Sequence, residues 1–138
     1  MIGTKFTWPK ENPRLEAGSP GYLLTPEREA LLKNALAIFY EKDLAHGEYV
    51  PGLYDIGFDN PETHLIRKDG VLYYAFYTRE GCDVEEVELR GLTPGRRYRL
   101  TDYYNHVDLG VVTASERTVL PVTLDRALLL EAKEEPEA

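Results

Sequence analysis

The sequence predicts a mainly β fold: an antiparallel β-sandwich of Greek-key type, with about six to eight strands and one N-terminal α-helix. Three observations carry this. Only the stretch from Thr25 to Gly47 has its apolar residues at helical spacing. From Glu48 onward the pattern changes to short alternating runs, separated by turn residues about every eight to twelve positions. One pair of runs flanks Asp69-Gly70, a dipeptide that accepts the positive φ angles of a tight hairpin.

Residues 1–47 read as one unit, an irregular arm followed by the helix. Pro9, Pro13, Gly18, Pro20 and Gly21 interrupt the arm too often for regular structure. Phe6, Trp8, Leu15, Tyr22, Leu23 and Leu24 are apolar enough to need a surface, so the arm is expected to be docked. Thr25 can cap the helix, Pro26 suits its first position, and Glu27 and Glu29 favour the positive end of its dipole. Leu32, Ala35, Leu36 and Phe39 keep helical spacing, and Leu31 and Ile38 widen the stripe. So broad an apolar face predicts a core helix, ending at Gly47 at the latest.

Residues 48–132 read as the sandwich. The hairpin through Asp69-Gly70 sets Lys68 opposite Val71, Ile66 opposite Tyr73 and Leu65 opposite Tyr74. Tyr73, Ala75 and Tyr77 then share one face, and Leu72, Tyr74 and Phe76 the other. Neither face is polar, which predicts a central strand covered on both sides. Val84 to Arg90 places Val87 and Leu89 against Glu86 and Glu88. Thr93-Pro94-Gly95-Arg96 fits a type II turn. Arg97 to Tyr103, Leu109 to Val112, Thr118 to Leu124 and Ala127 to Ala132 supply the remaining strands, with Pro121 confining its strand to an edge or a bulge. Residues 133–138 are expected to form a charged, frayed tail.

Composition narrows the function. The chain has 138 residues, 16 basic against 24 acidic, for a net charge of −8. That balance disfavours nucleic-acid binding, which needs clustered Lys and Arg. No apolar run reaches the ~18 residues of a membrane helix, and the opening residues lack the apolar core of a secretory leader. A lone Cys82 permits no intrachain disulfide, and a cytoplasmic setting is expected. The absence of Gln and the single Met and Cys hint at a thermophilic source.

Few residues promise chemistry. His46, His64 and His106 are isolated, and Cys82 has no paired cysteine, so no metal site and no cofactor is expected. Ser19 and Ser115 lie outside any GxSxG elbow, and no glycine-rich phosphate loop occurs. Glu86 and Glu88 share a strand face, as an exposed acidic row would. Asp55, Asp59 and Glu62 lie among Tyr49, Tyr54, Phe58 and His64. Aromatic faces stack on pyranose rings and carboxylates accept hydroxyl protons, so such a stretch suits a sugar. It suits turns at least as well, because Asp59-Asn60-Pro61-Glu62 can stabilise its own backbone. As a sugar site it would use Trp8, Tyr49, Tyr54, Asp55, Asp59 and His64, with Trp8 serving as a platform or as an anchor for the arm.

Several segments together resemble a known family. Gly3-Thr4-Lys5-Phe6-Thr7-Trp8-Pro9 is similar to a segment near the end of the catalytic barrel in bacterial α-galactosidases of glycoside hydrolase family 36. Leu23-Leu24-Thr25-Pro26-Glu27 resembles the start of that barrel's last helix. Gly47-Glu48-Tyr49, Leu53-Tyr54-Asp55, Phe58-Asp59, Pro61-Glu62, His64 and Tyr73-Tyr74-Ala75-Phe76-Tyr77 resemble the entry into the family's C-terminal β-domain. Leu89-Arg90-Gly91-Leu92-Thr93-Pro94-Gly95, Tyr98-Arg99, Asp102-Tyr103 and Asp108-Leu109-Gly110 match its later strands and turns. Retaining glycosidases need two carboxyl groups roughly 5–5.5 Å apart. In the resembled family these are aspartates on barrel strands upstream of this part, so no catalytic residue carries over. The resemblance therefore implies a β-domain that is non-catalytic by itself, with a structural or assembly role. A carbohydrate-binding module, or a subunit completed by a separately encoded barrel, are the alternatives. Without a barrel over the arm, helix and doubly apolar strand, a homo-oligomer or a barrel partner is expected.

Overall fold

A computed structural model of the chain describes residues 25–55, 58, 60–79 and 82–136. Helix α1 spans Pro26–Lys42. Thr25 is its cap, the hydroxyl accepting from the Arg28 N–H at 3.3 Å, and Pro26 takes the first turn. Lys33 pairs with Glu29 one turn back at 3.1 Å. The helix closes at Asp43, which adopts φ 48° and donates its N–H to the Phe39 carbonyl. A short 3₁₀ turn, Leu44–His46, leads into the strands.

Eight strands follow: β1 (Glu48–Tyr49), β2 (Glu62–Lys68), β3 (Val71–Tyr77), β4 (Val84–Leu89), β5 (Arg97–Asp102), β6 (Val107–Thr113), β7 (Thr118–Leu124) and β8 (Ala127–Glu134). Six form one antiparallel sheet in the order β1-β2-β3-β8-β5-β6, and β4 pairs with β7 in a second. The chain therefore crosses between sheets on entering and leaving β4, and again around β7. Among the described residues, the mainly antiparallel architecture with one α-helix ahead of the strands is as the sequence predicts.

The hairpin register also agrees. Lys68 faces Val71, Ile66 faces Tyr73 and Leu65 faces Tyr74, with Asp69 at φ 50° and Gly70 at φ 77°. Leu72, Tyr74 and Phe76 point inward, where Tyr74 and Phe76 stack with centroids 5.7 Å apart. They join Leu65, Val87, Leu89, Tyr98, Leu100, Leu120, Leu128 and Leu130 in one core between the sheets. The Thr93–Arg96 turn closes through Arg96 N–H to the Thr93 carbonyl at 3.2 Å, with Gly95 at φ 84°. Pro121 lies on β7 of the two-stranded sheet, opposite Glu86, where the register of β4 shifts after Val84. That places it on an edge and at a bulge together.

Three expectations need correcting. Helix α1 is not a core helix: only Ile38 is buried, while Leu31, Leu32, Leu36, Phe39 and Tyr40 are exposed. The two sheets fill their own core, so the helix lies on the outer face of the large sheet, and one flat face takes only a narrow strip of so wide an apolar surface. Strand β3 is central but only half covered outside, where Tyr73 and Ala75 are partly buried and Tyr77 is exposed. The charged end is not frayed from residue 133. Strand β8 continues to Glu134, the Glu135 N–H reaches the Arg97 carbonyl at 2.9 Å, and Arg99 binds the Glu135 carboxylate at 2.8 Å. Opposite charges on β5 hold those residues in register.

Candidate functional site

Alternation along β2 and β3 sends Thr63 and Leu65 inward, and Glu62, His64 and Ile66 outward. The pairing then aligns outward residues across three strands. Tyr49 on β1 lies opposite Ile66, His64 opposite Ala75, and Glu62 opposite Tyr77. The result is an aromatic row on the outer face, with the His64 ring 6.3 Å from Tyr49 on one side and 6.3 Å from Tyr77 on the other. His64 Nε2 donates to Glu62 Oε1 at 2.7 Å, which places the imidazole proton on Nε2 because a carboxylate only accepts.

At the Tyr77 end of the row the surface opens into a cleft of about 410 Å³. Phe58 and Tyr77 flank it, and Asn60, Glu62, Thr78, Arg79 and Cys82 supply its polar groups. Tyr77 is 46% exposed and Phe58 87%. Among the described residues no three His, Cys, Asp or Glu side chains converge as a metal site would require.

Of the residues the sequence nominates for a sugar, the structure brings Tyr49 and His64 together. Tyr54 lies elsewhere, beneath β4. Its hydroxyl donates to the Glu88 carbonyl at 2.6 Å and accepts from the Arg90 N–H at 2.7 Å, and the Arg90 guanidinium lies 4.9 Å over its ring. It lines a smaller, polar cleft of about 220 Å³ with Glu86, Glu88, Arg90 and Arg117. Asp55 is exposed on the loop beyond it. Trp8 and Asp59 lie outside the described residues. Sequence reasoning missed Tyr77 and Arg79 at the cleft. The hairpin register, extended to the end of both strands, places Tyr77 opposite Glu62 and was the signal available.

A second feature of the outer face is the seat of α1. Lys42 forms an ion pair with Glu131 of β8 at 2.7 Å and lies 6.0 and 5.9 Å over the Tyr73 and Tyr103 rings. Burial draws the Lys42 pKa down, but the hydrogen bond and charge of Glu131 outweigh it and the net shift is upward. Burial, reinforced by the Glu131 charge, also raises Tyr73. Tyr103 is pushed up to about 12 by burial, with smaller contributions from the tyrosines and carboxylates around it. Asn34 donates to the Tyr104 carbonyl at 3.2 Å and faces His106 at 3.1 Å. An apolar crevice of about 220 Å³, lined by Ala35, Ile38, Phe39, Tyr103 and Leu129, runs beside this seat. Among the described residues no helix is long and apolar enough to cross a membrane.

Fold and site together define a two-sheet β-domain that carries a helix and an aromatic cleft on its outer face. No family model matches the chain. In sequence it is 35% identical over 96 residues, 66% of its length, to the A type blood alpha-D-galactosamine galactosaminidase of Flavonifractor plautii. The chain spans only 9% of that relative. Among solved structures it is similar to a Bacillus halodurans C-125 chain with a provisional alpha-N-acetylgalactosaminidase name. That likeness has a TM-score of 0.47 and 11% identity, covering 65% of this chain and 21% of the other. The sequence match thus makes the chain similar to a part of a glycosidase of the α-galactosaminidase kind, consistent with the resemblance of its motifs.

Proposed function

We propose that the chain is the β-domain of a glycoside hydrolase acting on α-linked galactose-type sugars, non-catalytic by itself, with a structural and assembly role. The observation that carries this is the outer face of α1. Leu31, Leu32, Leu36, Phe39 and Tyr40 are all exposed on a helix that buries only Ile38. Large side chains grouped in this way mark a surface that another body covers. The sequence similarity, confined to a small part of a much longer glycosidase, supports a catalytic barrel as that body, in the same polypeptide or as a separate chain. In its absence the same surface favours self-association. A cytoplasmic compartment suits the exposed free thiol of Cys82.

The test is association and turnover. The chain is mixed with a family 36 α-galactosidase barrel that lacks its own β-domain, and binding is followed by analytical ultracentrifugation alongside hydrolysis of a nitrophenyl α-galactoside. Binding through α1 with stabilised barrel activity, and no turnover by the chain alone, is the expected result. Turnover by the chain alone would overturn the proposal, as would failure of the chain to associate with either the barrel or itself.

A further inference from the structure

We propose that the cleft between Phe58 and Tyr77 binds a single pyranose sugar. This goes beyond the structural role above and stands without it. A pyranose presents a C–H face and a rim of hydroxyls, so it needs a flat aromatic surface with donors and acceptors at its edge. Tyr77 supplies the surface at the end of β3, half exposed, with the His64 ring 6.3 Å away in an edge-on arrangement. Phe58, 87% exposed, is a large apolar side chain held in water beside the same cleft.

The rim is polar and mixed in character. Arg79 only donates, Glu62 only accepts, and the Asn60 amide does both. The hydrogen bond from His64 engages one Glu62 oxygen and fixes the carboxylate's orientation, while the second oxygen supplies further acceptor capacity. A volume of about 410 Å³ falls at the small end of the usual range for ligand sites, which also combine apolar walls with a few placed polar groups. A protein partner is a poorer fit, because so small a cleft mixes carboxylate, guanidinium, amide and hydroxyl groups around its two rings. The exposed side chains of α1, by contrast, are apolar over successive turns.

An amide-shift titration of the full ¹⁵N-labelled chain, with methyl α-D-galactopyranoside and methyl α-D-glucopyranoside in turn, tests this. At least one sugar should give saturable shifts clustered on residues 58–64 and 77–79, with a dissociation constant on the order of millimolar. Tyr77→Ala should weaken binding about tenfold, and Tyr77→Phe, which keeps the ring, by no more than about twofold. If Tyr77→Ala does not fold, Arg79→Ala on the exposed loop takes its place and should weaken binding about threefold or more. A flat titration of a well-dispersed spectrum overturns the proposal. So do shifts centred on Tyr54 and Arg90 or on α1, and so does unchanged affinity in these variants.

Discussion

Replacing Tyr54 by Phe separates a strut from a ligand-binding residue. The substitution keeps the ring beneath the Arg90 guanidinium and removes two hydrogen bonds, to the Glu88 carbonyl at 2.6 Å and from the Arg90 N–H at 2.7 Å. Each such bond is worth about 1 kcal/mol net, and both sit in a half-buried setting where replacement by water is incomplete. The expected loss is therefore about 2 kcal/mol. Arg90 keeps its bond to the Leu53 carbonyl, at 2.6 Å, so the loop should hold its path. In urea, with a slope of about 2 kcal/mol per M, the midpoint should fall by about 1 M at unchanged slope. The melting temperature should drop by about 5–8 °C. Sugar-induced shifts at residues 58–64 and 77–79 should persist. A midpoint unchanged within error, together with loss of those shifts, would refute the structural assignment of Tyr54 and make it a binding residue.

Four further outcomes follow from the same structure. Raising the pH should destabilise the fold from about pH 10, because Lys42, Tyr73 and Tyr103 all have folded pKa values above their ordinary ones. Their contribution is complete below those ordinary values and disappears as pH passes through the folded values, about 12 for Tyr103, which tyrosinate absorbance at 295 nm would follow. The double substitution Leu32→Asp, Phe39→Asp should leave the circular dichroism and urea midpoint of the isolated chain nearly unchanged while abolishing association with a barrel or a second copy, as measured by sedimentation. Gly91→Ala should cost about 1–3 kcal/mol in urea unfolding. Its φ of 89° disfavours any side chain, and the added methyl would lie 3.1 Å from Leu53 Cδ1 and 3.2 Å from Leu65 Cδ2. Amide hydrogen exchange should be far faster in α1 than in β8, since the helix is fastened to the sheet mainly through Ile38, Lys42 and Asn34.

Local signals were the readable ones. Asp69-Gly70 fixes the β2–β3 register because only a turn with two positive φ angles joins those runs, and Thr25-Pro26 fixes the start of α1 because the cap needs no distant partner. Pro121 could be assigned to an edge because a missing N–H is a property of the residue alone. The pairing of β8 between β3 and β5 was not readable. Alternation tells which face Leu128 and Leu130 bury, but says nothing of which strands lie on either side. The helix failed for a related reason: apolar width reveals how much surface wants cover, without saying whether this chain supplies it. At the site, Tyr49 and His64 could be nominated from closeness in sequence. Tyr54, equally close in sequence, lies apart from both, because its partner Arg90 is 36 residues away.

The outer face divides along physical lines into two zones. Across α1, Leu31, Leu32, Leu36, Phe39 and Tyr40 gain free energy only when something removes them from water, at roughly 25 cal/mol for each Å² covered. Beside them the helix is seated through one buried isoleucine, the Lys42–Glu131 pair, the Asn34 side chain and the Lys68 ammonium at its end. A partner that covered both α1 and the crevice beside it would therefore strengthen a weak internal contact as well as bury its own surface. The aromatic row is built differently. Tyr49, His64 and Tyr77 sit on paired strands of the large sheet, and Glu62 is tied to His64. Preformed sites suit small ligands, which bring little surface with which to offset reorganisation. A loosely held apolar helix instead suits a large partner, whose buried area can. The two zones differ in kind, one broad, apolar and seated on few contacts, the other small, aromatic and rimmed by polar groups, so variants of α1 and variants of Tyr77 test association and sugar binding separately.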